Sequence, residues 1–330
     1  MSDDPFAAAA AAGIQRLAIP TPFAVGRVNV YLIEDEPLTL VDTGPNSGKA
    51  LDELETALAG HGRRVEDLEL IVITHQHMDH EGLAQILARR SGAQVAALDR
   101  LAPLLERFGD VNEADDAFAE AIMLRHGLSP DIAVALRSVS RAFRAWGSSV
   151  QVTRTLHDGG TLELRDRTLQ VFHRPGHSPT DTIFWDETRG ELIAADHLIK
   201  HISSNPLLSR PLDGGEERPQ ALVTYLDSLR QTRELPARIV YSGHGEPIDD
   251  HVALIDERFR LHERRAQKIL GLIAEQPRTA HDIAQALWGN IAVTQAYLTL
   301  SEVLGHVDLL LNAEQVREVD RDGVSVFEVA

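Results

Sequence analysis

Apolar runs and turn residues alternate along the first hundred positions of the chain. Residues 28–33 and 38–41 are mostly apolar and flank a short polar turn, which predicts a β-hairpin. Residues 68–73 form a mostly apolar run, typical of a strand buried on both faces. Apolar residues at helical spacing lie around these runs, at about 46–59 and 82–90. This alternation of strand and helix predicts a layered α/β fold.

The pattern changes to helix alone between residues 99 and about 148. Apolar runs then return, and we interpret them as the strands and the helix that complete the sheet region. The sequence therefore predicts a helical insertion at 99–150, which would form a cap over a pocket. The later strands are predicted at 161–164, 169–172, 182–185, 192–195 and 238–241, with a helix at about 217–233.

The last part of the chain has the pattern of three helices and a hairpin. This predicts a winged-helix-like domain at 255–330 and a catalytic domain at 14–254, preceded by a flexible tail at 1–13. The third of these helices, about 294–311, carries more leucine than one face of a small domain needs. We expect it to pack on the catalytic domain near the cap or across a homodimer. The alternative is that these leucines fill the core of their own domain.

Composition narrows the classes of function. The 330 residues include no cysteine, and 50 Asp and Glu exceed 32 Lys and Arg, for a net charge of −18. The acidity disfavours binding to nucleic acids or to anionic membranes, because both are negatively charged. The N-terminus carries acidic residues where a signal peptide has basic ones, which predicts a cytoplasmic protein. Without thiolates, a metal would have to be held by carboxylates and by some of the 15 histidines.

A cluster of polar side chains follows the buried strand at 68–73. The segment 74–80 reads THQHMDH, so three histidines and an aspartate lie within six residues. His75 and His77 are two apart and can reach one ion from an extended backbone. Asp79 and His80 follow where the chain turns into a helix and can reach a second ion nearby. This density of ligand side chains predicts a metal site more strongly than a structural loop.

Three further candidate ligands follow strands at Gly- or Pro-rich turns, namely His177, Asp196 and His244. Their shared position at strand ends predicts that they meet at one edge of a sheet. We assign three histidines to one metal, a mixed trio to the other, and Asp196 to a bridge between them. All donors are nitrogen or oxygen, which suits zinc, with iron or manganese as alternatives. The first trio is His75, His77 and His177, and the second is Asp79, His80 and His244.

The motifs THQHMDH, VDTG (41–44), PGHS (175–178), AADH (194–197) and SGHG (242–245) together resemble the metallo-β-lactamase superfamily. This resemblance implies a four-layer αβ/βα sandwich and a dinuclear metal centre with the ligands assigned above. It also implies that Asp42 orients the site without binding metal. Glu81 and Leu83 depart from the commonest pattern, which affects only local packing. The C-terminal helices resemble those of members related to β-lactamase-like protein 2, and the catalytic region is similar to hydroxyacylglutathione-hydrolase-like proteins.

The resemblance implies a zinc hydrolase that acts on a small ester, thioester or lactone. Asp79 and His201 are the candidate catalytic residues, with His201 as a proton donor. Arg137, Arg141 and Arg144 share one helix face, which either holds a substrate carboxylate or is a solvated surface. Two alternative activities remain: a nuclease acting on single-stranded RNA or DNA, and a persulfide dioxygenase. The nuclease is disfavoured because the helix at 294–311 contains no Lys or Arg.

Overall fold

The computed structural model describes residues 5–215 and 217–330, and in these ranges it contains two mixed β-sheets and a separate hairpin. The first sheet keeps the order of the chain. Its first three strands pair antiparallel, and its last four pair parallel. The strands are β1 (Ile14–Ile19), β2 (Val28–Ile33), β3 (Thr39–Val41), β4 (Leu70–Val72), β5 (Gln94–Leu98) and β6 (Arg154–Leu156).

The second sheet contains β7 (Thr161–Glu163), β8 (Thr168–His173), β9 (Thr182–Asp186), β10 (Glu191–Ala195) and β11 (Ile239–Ser242). Its order is β11-β10-β9-β8-β7. Only β10 and β11 pair parallel, since the helix that joins them crosses over the sheet. The hairpin near the C-terminus is formed by β12 (Val316–Arg321) and β13 (Val324–Val329).

The helices range from four residues to 25 residues in length. In chain order they are α1 (Ala7–Ala11), α2 (Gly48–Gly60), α3 (Met78–Glu81), α4 (Ala84–Ser91), α5 (Ala102–Glu106), α6 (Phe108–Arg125), α7 (Pro130–Phe143), α8 (Ala221–Arg233), α9 (His251–Glu275), α10 (Ala280–Trp288), α11 (Ile291–Thr294) and α12 (Ala296–Asn312). Sequence signals explain several starts. Ser47 caps α2, Asp250 caps α9, and Thr279 forms a capping box with Asp282 at α10.

Alternate side chains of the second sheet enter two different apolar clusters. Phe184 and Ile193 pack with the first sheet and with α2 and α4. Ile183 and Leu192, one position away on the same strands, pack instead against α8 and α9. Because neighbouring residues of a strand point to opposite faces, the layers must run helix, sheet, sheet, helix. The α/β sandwich predicted from the sequence is therefore confirmed.

The structure differs from the prediction at the N-terminal end. Residues 1–4 of the predicted tail lie outside the described residues, but α1 packs beside β1 with Phe6 and Ala9 buried. β1 was not predicted, because its buried positions do not alternate regularly with exposed ones. β6 was not predicted because its three residues include a single buried side chain, Leu156.

The helical insertion, residues 99–150, contains α5, α6 and α7 and lies between β5 and β6. Its apolar side chains share one cluster with the C-terminal helices: Met123 and Ala133 pack in the same core as Ile269, Leu300 and Phe327. The expected packing of the C-terminal helices near the cap is confirmed, while the homodimer and the winged-helix assignment stay predictions. Among the described residues, no helix has both the length and the apolar character required to cross a membrane.

A glycine allows close contact between α12 and the catalytic region. A Cβ at Gly305 would lie 2.7 Å from the Cβ of Leu222 on α8, whereas a Cβ at Gly271 of α9 would meet nothing within 4 Å. We expect Gly305→Ala to lower the free energy of unfolding by about 1–3 kcal/mol through overpacking. Gly271→Ala should raise it by about 0.5–1 kcal/mol, because alanine is the better helix former. Urea denaturation of both variants measures this, and equal effects would contradict the packing described here.

Candidate metal centre

The candidate ligands follow strands whose carboxyl ends meet where the two sheets join. Asp42 follows β3, and residues 75–80 follow the neighbouring parallel strand β4. In the second sheet, Asp196 follows β10 and His244 follows the parallel strand β11. His177 lies in the turn between β8 and β9. Parallel neighbours end at the same edge, so both sheets present their polar side chains to one place.

Three imidazoles converge in the first cluster. Nε2 of His75 lies 3.1 Å from Nδ1 of His77, and Nε2 of His177 lies 3.0 Å from the same atom. The three rings stand nearly edge-to-face, with interplanar angles of 77° to 88°. The structure thus brings together the three histidines that the sequence assigned to one metal.

The second cluster joins Asp79, His80 and His244. Oδ2 of Asp79 lies 3.4 Å from Nε2 of His244 and 3.9 Å from Nε2 of His80. Asp196 lies between the clusters: Oδ1 is 3.5 Å from Nε2 of His80, and Oδ2 is 3.6 Å from Nε2 of His177. Oδ2 is also 3.5 Å from Nε2 of His244. Asp196 therefore has the position expected of a bridging carboxylate.

Backbone carbonyls fix the orientation of two rings. Nδ1 of His244 lies 2.9 Å from the carbonyl of Arg27, and Nδ1 of His177 lies 3.2 Å from the carbonyl of Asn205. Since a carbonyl only accepts, each Nδ1 carries a proton and donates it. In the neutral form of each ring, Nε2 is then the unprotonated nitrogen and directs its lone pair into the site, as in a metal ligand.

Asp42 orients two more rings. One oxygen, Oδ2, lies 2.7 Å from Nδ1 of His80, which therefore donates to it. Thr74 donates to the same carboxylate from its backbone N–H, at 3.0 Å, and from its hydroxyl, at 2.9 Å. That hydroxyl lies 3.0 Å from Nδ1 of His75 and accepts its proton. One carboxylate thus holds His80 directly and His75 through a threonine, which agrees with the orienting role that the sequence assigned to Asp42.

The backbone beside the site takes unusual conformations. Asp42 and Ala195 have positive φ angles of 61° and 45° and stand next to strand ends. Such conformations are unfavourable for side chains with a Cβ and occur where the surrounding structure enforces them. A Cβ at Gly243 would lie 2.1 Å from Oδ1 of Asp196 and 2.9 Å from Cε1 of His80. Only glycine at position 243 allows the His244 turn to approach the bridging carboxylate.

Burial makes the first cluster neutral. Burial and the neighbouring imidazoles lower the pKa of His75 well below its usual value, and the same causes lower the pKa of His77 to about 3. Burial also lowers the pKa of His177. At neutral pH these three rings therefore carry lone pairs without a second proton.

Carboxylates reverse this effect in the second cluster. Burial would lower the pKa of His80, but Asp196 and Asp42 outweigh it and raise the pKa well above its usual value. At His244, burial again lowers the pKa, but Asp196 and Asp79 outweigh it and raise the pKa to about 10. A divalent cation can replace these protons in neutralising the buried carboxylates. Metal binding at this cluster should therefore release protons and weaken as the pH falls.

The polar atoms of the clusters fit a divalent metal. Nε2 of His80, Oδ1 of Asp196 and Nε2 of His244 are buried and have no hydrogen-bond partner among the described residues. Unpaired buried polar atoms are costly unless a cation or a hydrogen bond satisfies them. In the first cluster, three imidazole nitrogens of neutral rings face one another. The mixed nitrogen and oxygen donors suit a divalent transition metal.

A cavity of about 250 Å³ opens from the first cluster toward the helical insertion. His77 and His177 form its inner end, and apolar side chains of α5, α6 and α7 form much of its wall. Tyr297 of α12 contributes to the wall as well. The insertion covers a pocket beside the candidate metal site, as the sequence predicted.

The insertion arginines have a different role from the one considered in the sequence. Arg137, Arg141 and Arg144 all bind the carboxylate of Glu113 on α6, at 2.8, 2.5 and 2.9 Å. Of the two alternatives that the sequence left open, the structure disfavours the substrate carboxylate, because α6 already supplies the partner of these arginines. They join α7 to α6 instead.

His201 and Glu81 lie beside the ligands. His201 is exposed, and its ring lies over Gly245, directly after the ligand turn of β11. Its role as a proton donor stays a prediction. Glu81 is fully buried, and its Oε1 accepts a hydrogen bond from the backbone N–H of Ser148 at 3.3 Å. Burial raises the pKa of Glu81 well above its usual value. This residue links the metal motif to the end of the insertion.

The sequence did not identify several residues that position the ligands. Thr74 lies inside the histidine motif but was not singled out, although a hydroxyl before a ligand is a usable signal. The side chain of Gln76 accepts from Ser178 and Thr180, at 3.0 and 2.5 Å, and so joins the two ligand turns. The carbonyl of Arg27 gives no sequence signal, because every residue has a carbonyl.

Comparisons with known proteins agree with this geometry. The family model described as the metallo-beta-lactamase superfamily matches residues 24–244. The probable metallo-hydrolase YqjP of Bacillus subtilis (strain 168) is 31% identical over 91% of this chain and 92% of its own. The beta-lactamase-like protein 2 homolog of Caenorhabditis elegans is 25% identical over 82% of this chain and 74% of its own. The crystal structure of a metallo-beta-lactamase family protein from Thermus thermophilus superposes on this structure with a TM-score of 0.82. The two sequences are 26% identical, and the superposition covers 96% of this chain and 99% of the other.

The role of Asp42 can be tested with Asp42→Asn. Both oxygens of Asp42 face donors, so the amide NH₂ of an asparagine faces a donor whichever way it turns. We expect metal affinity to fall by about 10- to 100-fold, as for other residues that orient ligands. Competition with a chromophoric chelator measures this, and unchanged affinity would contradict the orienting role.

A matched pair at position 74 controls for nonspecific damage. Thr74→Ser keeps the hydroxyl that links Asp42 to His75, whereas Thr74→Val keeps the shape and removes the hydroxyl. Only the valine variant should lose metal affinity. Equal loss in both variants would mean that packing at this position, rather than the hydrogen bond, matters.

Proposed function

The chain belongs to the metallo-beta-lactamase superfamily and is a metallo-hydrolase of that family. We propose that it hydrolyses a small ester, thioester or lactone with two divalent metal ions, for which zinc is the first candidate. The observation that carries the proposal is the pair of side-chain trios that share Asp196 beside a mostly apolar cavity. Two adjacent metals in such an arrangement serve the hydrolysis of polar bonds.

In this proposal, seven side chains hold the metals. His75, His77 and His177 bind one ion, while Asp79, His80 and His244 bind the other, with Asp196 between them. The bound ions would supply Lewis acidity and lower the pKa of water toward neutrality. The hydrogen bonds from Nδ1 of His177, His244 and His80 aim the Nε2 atoms inward, and a bound metal would take the place of the proton on Nε2 of His80 and His244.

Other groups of the chain prepare the reaction. The buried carboxylate of Asp79 lies against His244 at the junction of the two clusters and would orient the attacking water. His201, over Gly245, is the proposed donor of a proton to the leaving alcohol or thiol. The insertion and Tyr297 form walls of the cavity beside the first cluster. A substrate that fills this cavity would displace water from it and so strengthen electrostatic interactions there.

The shape and charge of the molecule favour a small acyl substrate over a nucleic acid. The cavity is narrow and mostly apolar, and its charged side chains are paired with one another. α12, the helix that a winged-helix nuclease would present to a phosphate backbone, contains no Lys or Arg. A polynucleotide would meet a chain of net charge −18, with little to neutralise its phosphates.

Metal content tests the proposed centre. Protein reconstituted with zinc and freed of excess metal should contain two equivalents per chain, because each trio offers three ligand atoms of its own and Asp196 lies between them. His75→Ala should lose one equivalent and retain a cooperative unfolding transition, since His75 lies in a turn at the sheet edge. Elemental analysis that finds one equivalent or less in the wild-type protein would contradict a dinuclear site.

Turnover tests the reaction class. We expect the zinc-loaded protein to hydrolyse at least one member of a panel of an acyl ester, an acyl thioester and an acyl lactone. Asp196→Asn keeps the volume and removes the bridging charge, so kcat/KM should fall by more than about a hundredfold. The same panel includes single-stranded RNA, which tests the nuclease alternative. It also includes a persulfide, for which oxygen consumption is the readout of the dioxygenase alternative. Turnover of either of these, with no acyl hydrolysis, would replace the proposal by the nuclease or the dioxygenase.

A further inference from the structure

The cavity beneath the insertion extends well beyond the metal ligands. It begins at His77 and His177 and ends among side chains of α6 and α7. Leu104, Phe108 and Met123 belong to its apolar wall. The polar end of the cavity lies at the candidate metal site, and most of the remaining wall is apolar.

Charged residues also line the cavity, but partners neutralise them. Asp115 binds Arg210 at 2.7 Å, and Asp116 accepts from the hydroxyl of Ser140 at 2.6 Å and pairs with Arg144. Arg137 binds both Glu113 and Glu120. These groups already have counter-charges or hydrogen bonds, so they attract no charged ligand, and most of the surface left to a ligand is apolar.

We propose that this cavity is the acyl subsite of the enzyme and takes an unbranched, uncharged acyl chain of about six to eight carbons. The inference rests on the proposed hydrolase function and specifies its substrate. The carbonyl of such a substrate lies at His77 and His177, and the chain extends along α6 toward Met123.

The volume limits the chain length. A group of the size of a water molecule occupies about 30 Å³. A cavity of about 250 Å³ therefore holds about eight such groups. We expect Leu136 and Met123 to limit the chain, because both line the cavity and pack in the shared core of the insertion and the C-terminal helices. Shorter chains would leave part of the apolar wall without contacts.

A series of substrates tests the inference. The zinc-loaded protein is assayed with straight-chain thioesters of N-acetylcysteamine, from acetyl to dodecanoyl. kcat/KM should rise by about three- to fourfold per added methylene up to about eight carbons, as expected for burial of each methylene. It should fall for decanoyl and dodecanoyl chains. A flat profile, or a continued rise to dodecanoyl, would overturn the inference.

Two alanines of α6 provide a matched pair of variants. Ala119 lines the cavity, whereas Ala117 is exposed and does not line it. Ala119→Phe fills the cavity and should lower kcat/KM for the octanoyl thioester at least tenfold, with less than a twofold change for the acetyl thioester. Ala117→Phe should leave both within twofold. Equal effects of the two variants would overturn the inference, and the wild-type series decides alone if Ala119→Phe does not fold.

Calorimetry with octanoate and acetate separates this inference from the proposed function. If no ester, thioester or lactone is hydrolysed but octanoate binds more tightly than acetate to the wild type, and not to Ala119→Phe, the acyl subsite stands and the hydrolase proposal falls. If thioesters are hydrolysed without length dependence and both carboxylates bind equally, the hydrolase proposal stands and the acyl subsite falls.

Discussion

Three carboxylates buried among five imidazoles are the constraint on which the rest of the site depends. Asp42, Asp79 and Asp196 are all at most 8% exposed, and in the described part of the chain none has a lysine or arginine among its ion pairs. Burying such charges without compensation is prohibitively costly. The compensation must come from cations at the imidazoles, either protons or metals. This explains why the buried rings cluster here and why hydrogen bonds fix their outer nitrogens.

The two sheets must pack together before this arrangement exists. Asn29 of β2 donates from its backbone N–H to the carbonyl of Gly243 at 2.6 Å, and the hydroxyl of Tyr31 donates to the carbonyl of Ser242. The first sheet thereby holds the turn that carries a ligand from the second. In return, the backbone N–H of Thr182 donates to the carbonyl of Thr74, at the start of the histidine motif. The site is a property of the tertiary structure, since each sheet supports ligands that the other supplies.

Sequence could predict the ligands because side-chain chemistry and strand ends identify them, and the structure brings all of them together. The contacts that orient the rings were harder to predict, because two of them use backbone carbonyls, of Arg27 and Asn205, that carry no signature. Strands with long apolar runs were predicted, whereas β1, with its irregular burial, and β6, with three residues, were not. The shared face of the insertion arginines was visible, but their partner Glu113 lies 24 residues before Arg137, and only the packing of α6 on α7 brings the two together. The wall of the acyl cavity likewise combines residues of α5, α6, α7 and α12 that no single periodic segment identifies.

The shared core of the insertion and the C-terminal helices makes them a single cooperative unit. Met123 and Leu128, at the end of α6 and just beyond it, pack in the same cluster as Leu300 and Val303 of α12. Local opening of α6 would expose apolar surface of α12, so the free energy of opening is close to that of unfolding the whole cluster. We therefore expect the roof of the cavity not to open as an independent flap. Ligand entry would then depend on side-chain motions at the mouth of the cavity rather than on a hinge.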